Sequence, residues 1–178
     1  MIIRSKQAFA KLNELFASTG NFFQILLLLF FRLNWGWQFY QTGVGKLINH
    51  GKIVEFFSSL NLPMPDATAW FVGGVECFGG LLLLVGLLTR PVGLVLAINM
   101  VVAYFAVADD RLTVFNFFKD QDPFFKADPF FFLMAGLLAF AFGGGPISLD
   151  SMIKHLLAKR KRSSAEGQLS SAELQAAG

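Results

Sequence analysis

The sequence predicts an all-α fold, a four-helix transmembrane bundle with a short interfacial helix between spans 1 and 2, and three observations carry that reading. Across 178 residues the chain is 54% apolar and 15% charged, with a mean hydropathy of +0.55, far more apolar than a soluble domain of this size requires. A bilayer core of about 30 Å takes roughly 17 to 25 helical residues per crossing, and residues 21–43, 68–89, 91–108 and 129–145 meet that length. Basic residues gather on alternate connections, the charge bias of a chain threaded through a membrane. The 22 Phe, many at the ends of apolar runs, suit anchoring near the headgroups.

Three segments follow from this pattern: a cytoplasmic N-terminal segment over 1–20, a four-span membrane domain over 21–150, and a basic, largely disordered cytoplasmic tail over 151–178. Arg4, Lys6 and Lys11 precede the first span, and its long apolar run leads into Trp35, Trp37 and Tyr40 rather than a small-residue cleavage site, so it is read as retained. Residues 45–66 mix Leu47, Ile48, Ile53, Val54, Phe56, Phe57 and Leu60 with Lys46, Lys52 and Glu55. That suits an amphipathic helix in the outer interface, ahead of the Pro63-Met64-Pro65 turn, or a lid.

The second span is rich in glycine, and Gly73, Gly74, Gly79, Gly80 and Gly86 are expected to let helices approach closely. Arg90 marks a tight turn, and Pro91 and Pro129 fall at first-turn positions where a missing N–H is harmless. Between spans 3 and 4, residues 114–132 alternate Phe clusters with charge and proline, which predicts an interfacially anchored loop with little structure of its own. After the last span come Lys154, Lys159, Arg160, Lys161 and Arg162, so both termini are placed in the cytoplasm and the chain in a bacterial inner membrane. The small, polar residues after Arg162 have too little apolar bulk to fold alone.

Several chemistries are excluded. The single Cys77 has no C-x-x-C partner, so dithiol chemistry within the chain is ruled out. The two histidines, His50 in the outer loop and His155 in the tail, fall on opposite sides of the membrane and cannot share a haem or a metal. No glycine-rich loop follows a strand, so no flavin or nucleotide fold is expected. The basic run 159–162 most simply meets anionic lipid, not nucleic acid.

Two charges stand out because they lie inside the spans: Arg32 in the first and Glu76 in the second. An ionisable group at bilayer depth marks a functional site by default. Counted from the span ends at 1.5 Å per residue, the two lie within about a turn of the same depth on antiparallel helices. They are therefore expected either to fix helix register as an ion pair or to form a substrate or proton site. Glu76 is the better candidate for proton exchange, since an arginine stays protonated. Asn34, Gln38, Tyr40 and Gln41 add polar groups to the first span and Asn99 adds one to the third. Lys46 could neutralise an anion at the outer mouth or simply snorkel, and Ser148 with Asp150 reads as the N-cap of a helix that begins near Ser151.

These strings resemble a known family. Arg32-Leu33, Gly36, Gly43 and Lys46-Leu47 are similar to the R-L-x-x-G…G-x-x-K-L pattern of DoxX family membrane proteins. Gly73 to Gly80, with Glu76 at the centre, followed by Gly86-Leu87-Leu88-Thr89-Arg90, resembles that family's G-x-x-E-x-x-G-G…G-L-x-T-R. Gly143 to Asp150 resembles its G-x-G-x-x-S-L-D ending, so the likeness spans most of residues 26–150. It departs at Gln41-Thr42-Gly43, where members often place a histidine before the glycine. The resemblance implies a four-helix inner-membrane protein linked to quinone-coupled sulfur oxidation or to complexes that handle oxidative stress.

The expected function is an accessory subunit of a quinone-linked redox complex, with a redox protein partner and membrane lipid around it. In that reading Glu76 and Arg32 act on the quinone, with Trp35, Trp37, Tyr40, Lys46 and Asn99 forming its site. The electrons come from the partner, because the chain has no redox centre of its own. Two alternatives stand beside it: a small carrier for a hydrophobic or weakly acidic solute, for which a homo-oligomer would supply the pathway, and a scaffold in which Arg32 and Glu76 only lock the bundle.

Overall fold

A computed structural model describes residues 2–176, with side chains from 13 to 164. Eight helices follow in order: α1 (Ile2–Ile48), α2 (His50–Ser59), α3 (Pro65–Val85), α4 (Thr89–Ala106), α5 (Ala108–Phe115), α6 (Asp122–Lys126), α7 (Pro129–Phe142) and α8 (Leu149–Ala176). No strand occurs among the described residues. The expected four-helix bundle is formed by α1, α3, α4 and α7. Stretches of α1, α3 and α4 are long and apolar enough to cross a membrane, and α7 is a shorter apolar helix of 14 residues. Large apolar side chains such as Phe71, Phe78, Val95 and Ile98 face outward, as they must when lipid is the solvent.

Two close-packed helix pairs make the bundle. In the first, α1 presents a stripe of Arg32, Gly36, Phe39 and Gly43, spaced three and four apart, to the matching stripe Ala69, Gly73, Glu76, Gly80 and Leu83 of α3. A Cβ added to Gly43 would strike the backbone of Cys77, and one added to Gly80 would strike the backbone of Tyr40. Small residues thus set the distance between the helices and fix an antiparallel register of Gly36 with Leu84, Tyr40 with Gly80 and Gly43 with Cys77. In the second pair, Cβ atoms on Gly93 and Gly136 would lie 2.7 Å from Phe140 N and 2.8 Å from Ala97 N. Phe39, Leu83, Leu96, Met100 and Ala135 fill the core between the pairs. Of the five glycines expected to pack, Gly73, Gly79 and Gly80 do so, whereas Gly74 faces open space and Gly86 has another role.

Gly86 ends α3 with φ +71°, its N–H and that of Leu87 returning to the Leu82 carbonyl at 2.9 and 3.0 Å. Leu88 leads into α4 at φ +50° and gives no side-chain cap. The cap comes from far along the chain: the Asp150 carboxylate accepts hydrogen bonds from the N–H groups of Leu88 (2.8 Å) and Thr89 (2.9 Å). Ser148 caps α8 as expected, its Oγ accepting from Ser151 N–H at 3.2 Å. The string from Ser148 to Asp150 therefore clamps the start of α8 to the α3–α4 turn. Burial alone would raise the Asp150 carboxyl, but the backbone hydrogen bonds from Thr89 and Leu88, with the nearby Thr89 hydroxyl and the Lys154 charge, hold it below the ordinary carboxylate range.

Three connections differ from expectation. The first span is part of a far longer helix, because nothing in 2–48 breaks it, and Arg32 is the first buried side chain of α1 among the described residues. Residues 114–132 are more structured than expected: Phe124 and Phe125 of the short α6 form an edge-to-face cluster with Phe117 before it and Phe130 of α7, and Tyr104 donates a hydrogen bond to the Phe124 carbonyl at 2.9 Å. Alternating rings and charge read as a loop because the rings' partners are each other. The polar tail continues as helix to Ala176, its Ala, Glu, Gln and Leu being good helix formers. The amphipathic helix expected within 45–66 is α2, held to α3 by His50, which stacks on Trp70 (4.5 Å) and meets Asp66 Oδ1 at 2.9 Å.

Candidate functional site

Glu76 is the one carboxylate fully buried in the helix bundle among the described residues, with 2% of its surface exposed. Its position on the α1-facing stripe of α3 turns it inward, and two side chains meet it. Lys46 reaches from the last turn of α1 to form an ion pair through Oε2. Asn99, on the inward side of α4, donates its amide to Oε1 at 3.0 Å. Three helices converge on one carboxylate, and both of its oxygens are engaged. The Lys46 side chain is 26% exposed, so the pair opens toward the end of the bundle that carries α2.

Arg32 is not there. The antiparallel register places it beside Gly86, about ten residues and so about 15 Å along α3 from Glu76. Depth counting put the two together because it began at residue 21. The bundle grips α1 only from about Leu28 onward, so Arg32 lies at its basic end and not at mid-depth. Lys46, read as a residue beyond the span, belongs to α1 and fills the place expected of Arg32. The signal was in the sequence: Lys46 lies three residues after Gly43, so it continues the stripe that Gly43 begins.

Arg32 is 8% exposed and donates from Nη1 to the Gly144 carbonyl at 2.7 Å. A Cβ on Gly86 would collide with its guanidinium, so the glycine of the turn also makes room for the arginine. Trp35 lies one turn on, packed between Phe131 (stacked, 6.0 Å) and Phe132 (edge-on, 5.3 Å). Trp37 faces outward, half exposed, beside Tyr40 at 5.5 Å. The seven expected site residues thus divide into Glu76, Lys46 and Asn99 at one level, Arg32 and Trp35 near the basic end, and Trp37 with Tyr40 between them.

Gly36, Gly43, Gly73 and Gly80, with Glu76 and Lys46, set how α1 meets α3, and this lies in the part of the chain that comparison with known proteins identifies. The DoxX family model matches residues 27–109, from the start of the gripped part of α1 through α4, so this part of the chain is similar to a DoxX domain, and its apolar helices are those of a membrane protein. No curated protein and no solved structure matches it.

Proposed function

We propose that this DoxX-like membrane protein is an accessory subunit of a quinone-linked redox or oxidative-stress complex, seated in a bacterial inner membrane with its basic end in the cytoplasm. The observation that supports this most is the Glu76–Lys46–Asn99 cluster, a protonatable carboxylate buried among three helices and joined to the bundle's outer end by a lysine. Reduction of a quinone takes up two electrons and two protons. The electrons come from the redox partner and both protons from water at the Lys46 end, relayed one at a time by Glu76, with Lys46 holding the charge left after each transfer and Asn99 orienting Oε1. From the level of Val75 toward the α3–α4 turn runs an apolar groove of about 260 Å³, lined by Val75, Phe78, Gly79, Leu82, Leu88 and Val92 and not by the cluster residues themselves. It offers a lipid-facing seat for a prenyl tail. Arg32 has no part in this chemistry.

One observation favours a second reading. Because both oxygens of Glu76 are already satisfied, the cluster also works as a clasp that fixes α1, α3 and α4 in register. The deciding experiment measures quinone bound per protein after purification in mild detergent, for the native chain and for Glu76→Gln. Quinone retained by the native protein and lost by the folded variant supports the redox subunit. No quinone above the detergent background in either removes that support and leaves the clasp.

A further inference from the structure

At the basic end, α1 and α7 part slightly. Leu28, Phe31, Arg32 and Trp35 of α1 face Ala135, Leu138, Ala139 and the residue after α7, Gly143, with Leu83 and Thr89 closing the floor. The crevice holds a cavity of about 20 Å³, room for one oxygen-sized group. Two buried polar atoms lining residues of this cavity have no hydrogen-bond partner, Nε of Arg32 and Oγ1 of Thr89, the latter residue only 1% exposed. Buried donors are almost always satisfied, so a pair of unsatisfied ones in the same crevice asks for an acceptor.

The charges nearby select its sign. Arg32 is joined by Arg90, whose Nε would lie 3.3 Å from a Cβ on Gly143, and by Lys154, whose charge reaches Asp150. Asp150 is the opposing group. It is close enough to Arg32 and Thr89 to act on both, and the Thr89 hydroxyl lies near enough to help lower its carboxyl, yet its two oxygens accept from the backbone N–H groups of Leu88 and Thr89, and Thr89 Oγ1 has no partner at hydrogen-bond distance and angle. Three cations against one engaged carboxylate leave the crevice positive. It lies level with the first residue of α4, at the edge of the spans, where phospholipid phosphates lie. Its outer walls, Leu28, Phe31 and Leu138, are apolar.

We propose that this crevice is a phospholipid site, in which one phosphate oxygen of a lipid in the facing leaflet accepts hydrogen bonds from Arg32 Nε and Thr89 Oγ1 while an acyl chain follows the α1/α7 seam. The site is separate from the Glu76 cluster and does not depend on the role given to it.

The test uses the full chain, delipidated in mild detergent and titrated with phosphatidylglycerol, with diacylglycerol of the same chains, and with inorganic phosphate, bound species being counted by native mass spectrometry. Native protein is expected to take up one phosphatidylglycerol and no diacylglycerol at the same concentration. Arg32→Lys and Thr89→Val are each expected to weaken that uptake by about tenfold, the worth of one charge-assisted hydrogen bond. Thr89→Val keeps the side-chain shape and the backbone bond to Asp150, so it decides the matter even if the arginine variant fails to fold. Equal uptake by native and Thr89→Val protein, or equal binding of diacylglycerol, overturns the proposal. Displacement of the lipid by millimolar inorganic phosphate, with the same dependence on Thr89, reassigns the site to a soluble anion and overturns the lipid.

Discussion

Removing Lys46 should be far more damaging than removing both members of its pair. In Lys46→Met, Glu76 stays 2% exposed with its charge intact, and only the Asn99 bond remains to it. Breaking a buried pair from one side costs about 3 to 5 kcal/mol. Because Lys46 is 26% exposed, the pair is partly wetted and the lower end, about 3 kcal/mol, applies. Glu76→Gln is milder at about 1 kcal/mol, since the amide oxygen still accepts from Asn99 and the freed lysine can snorkel outward. The double variant Lys46→Met/Glu76→Gln removes both charges and keeps the Asn99 bond, so it should lie near the Glu76→Gln value. The coupling energy is then about 2 to 3 kcal/mol, read as a double-mutant cycle from denaturant unfolding in detergent. Additivity of the two single changes to within about 0.5 kcal/mol would refute the reasoning, because it would mean that Lys46 does not hold a buried charge. Quinone content of the double variant then separates the two readings of the cluster: a clasp tolerates the change, and a proton site does not.

Other outcomes follow from the packing and from the α8 clamp. Gly43→Leu and Gly80→Leu each force α1 from α3 and should destabilise by more than about 3 kcal/mol, visible as aggregation on size exclusion, whereas Gly74→Leu should be neutral because open space surrounds it. Asp150 is held below its ordinary range, so its contribution is fully present above about pH 4 and is lost as pH falls through the lower folded value. Limited proteolysis at the lysines and arginines of α8 should therefore accelerate in acid for the native chain and already be fast at pH 7 in Asp150→Ala. Tyr104→Phe removes the bond to the Phe124 carbonyl, costs about 1 kcal/mol, and should raise hydrogen exchange in residues 117–127 without altering the bundle.

The spans, the interfacial helix and the cap at Ser148 were legible because each rests on local chemistry: apolar runs of fixed length, a period of 3.6, and a side chain within three residues of the N–H it serves. Glycine content predicted close approach but not which glycine approaches what, since Gly73 and Gly74 are identical in sequence terms and differ only in the side of α3 they occupy. The partner of Glu76 was misplaced because depth was measured from the ends of an apolar run. Depth in a bundle is set by contact, and the contacts between Gly36, Tyr40 and Gly43 of α1 and Leu84, Gly80 and Cys77 of α3 slide α1 so that Lys46, not Arg32, reaches the carboxylate. Asp150 as the cap of α4 could not be read locally, because the residues it joins are 61 and 62 positions apart.

That slide explains why the DoxX strings hold together as a unit. Charges in them are matched by glycines that make room for them: Gly43 brings α1 close enough for Lys46 to meet Glu76, and Gly86 vacates the volume that the Arg32 guanidinium enters. Had Arg32 and Glu76 paired at mid-depth, a single ion pair would have fixed α1 to α3 and left the turns free. Placing one charge near each end instead ties α1 to α3 and α4 at one level and to the α7–α8 connection at the other, through Gly144. The two ends differ in one respect that decides what each can do. Both oxygens of Glu76 already have a partner, so chemistry there must exchange a bond already made, whereas the Arg32 Nε–H is free to donate to a new partner without breaking any. Ligand binding is therefore easier at the basic end, and proton exchange, which only redistributes existing bonds, is easier at Glu76.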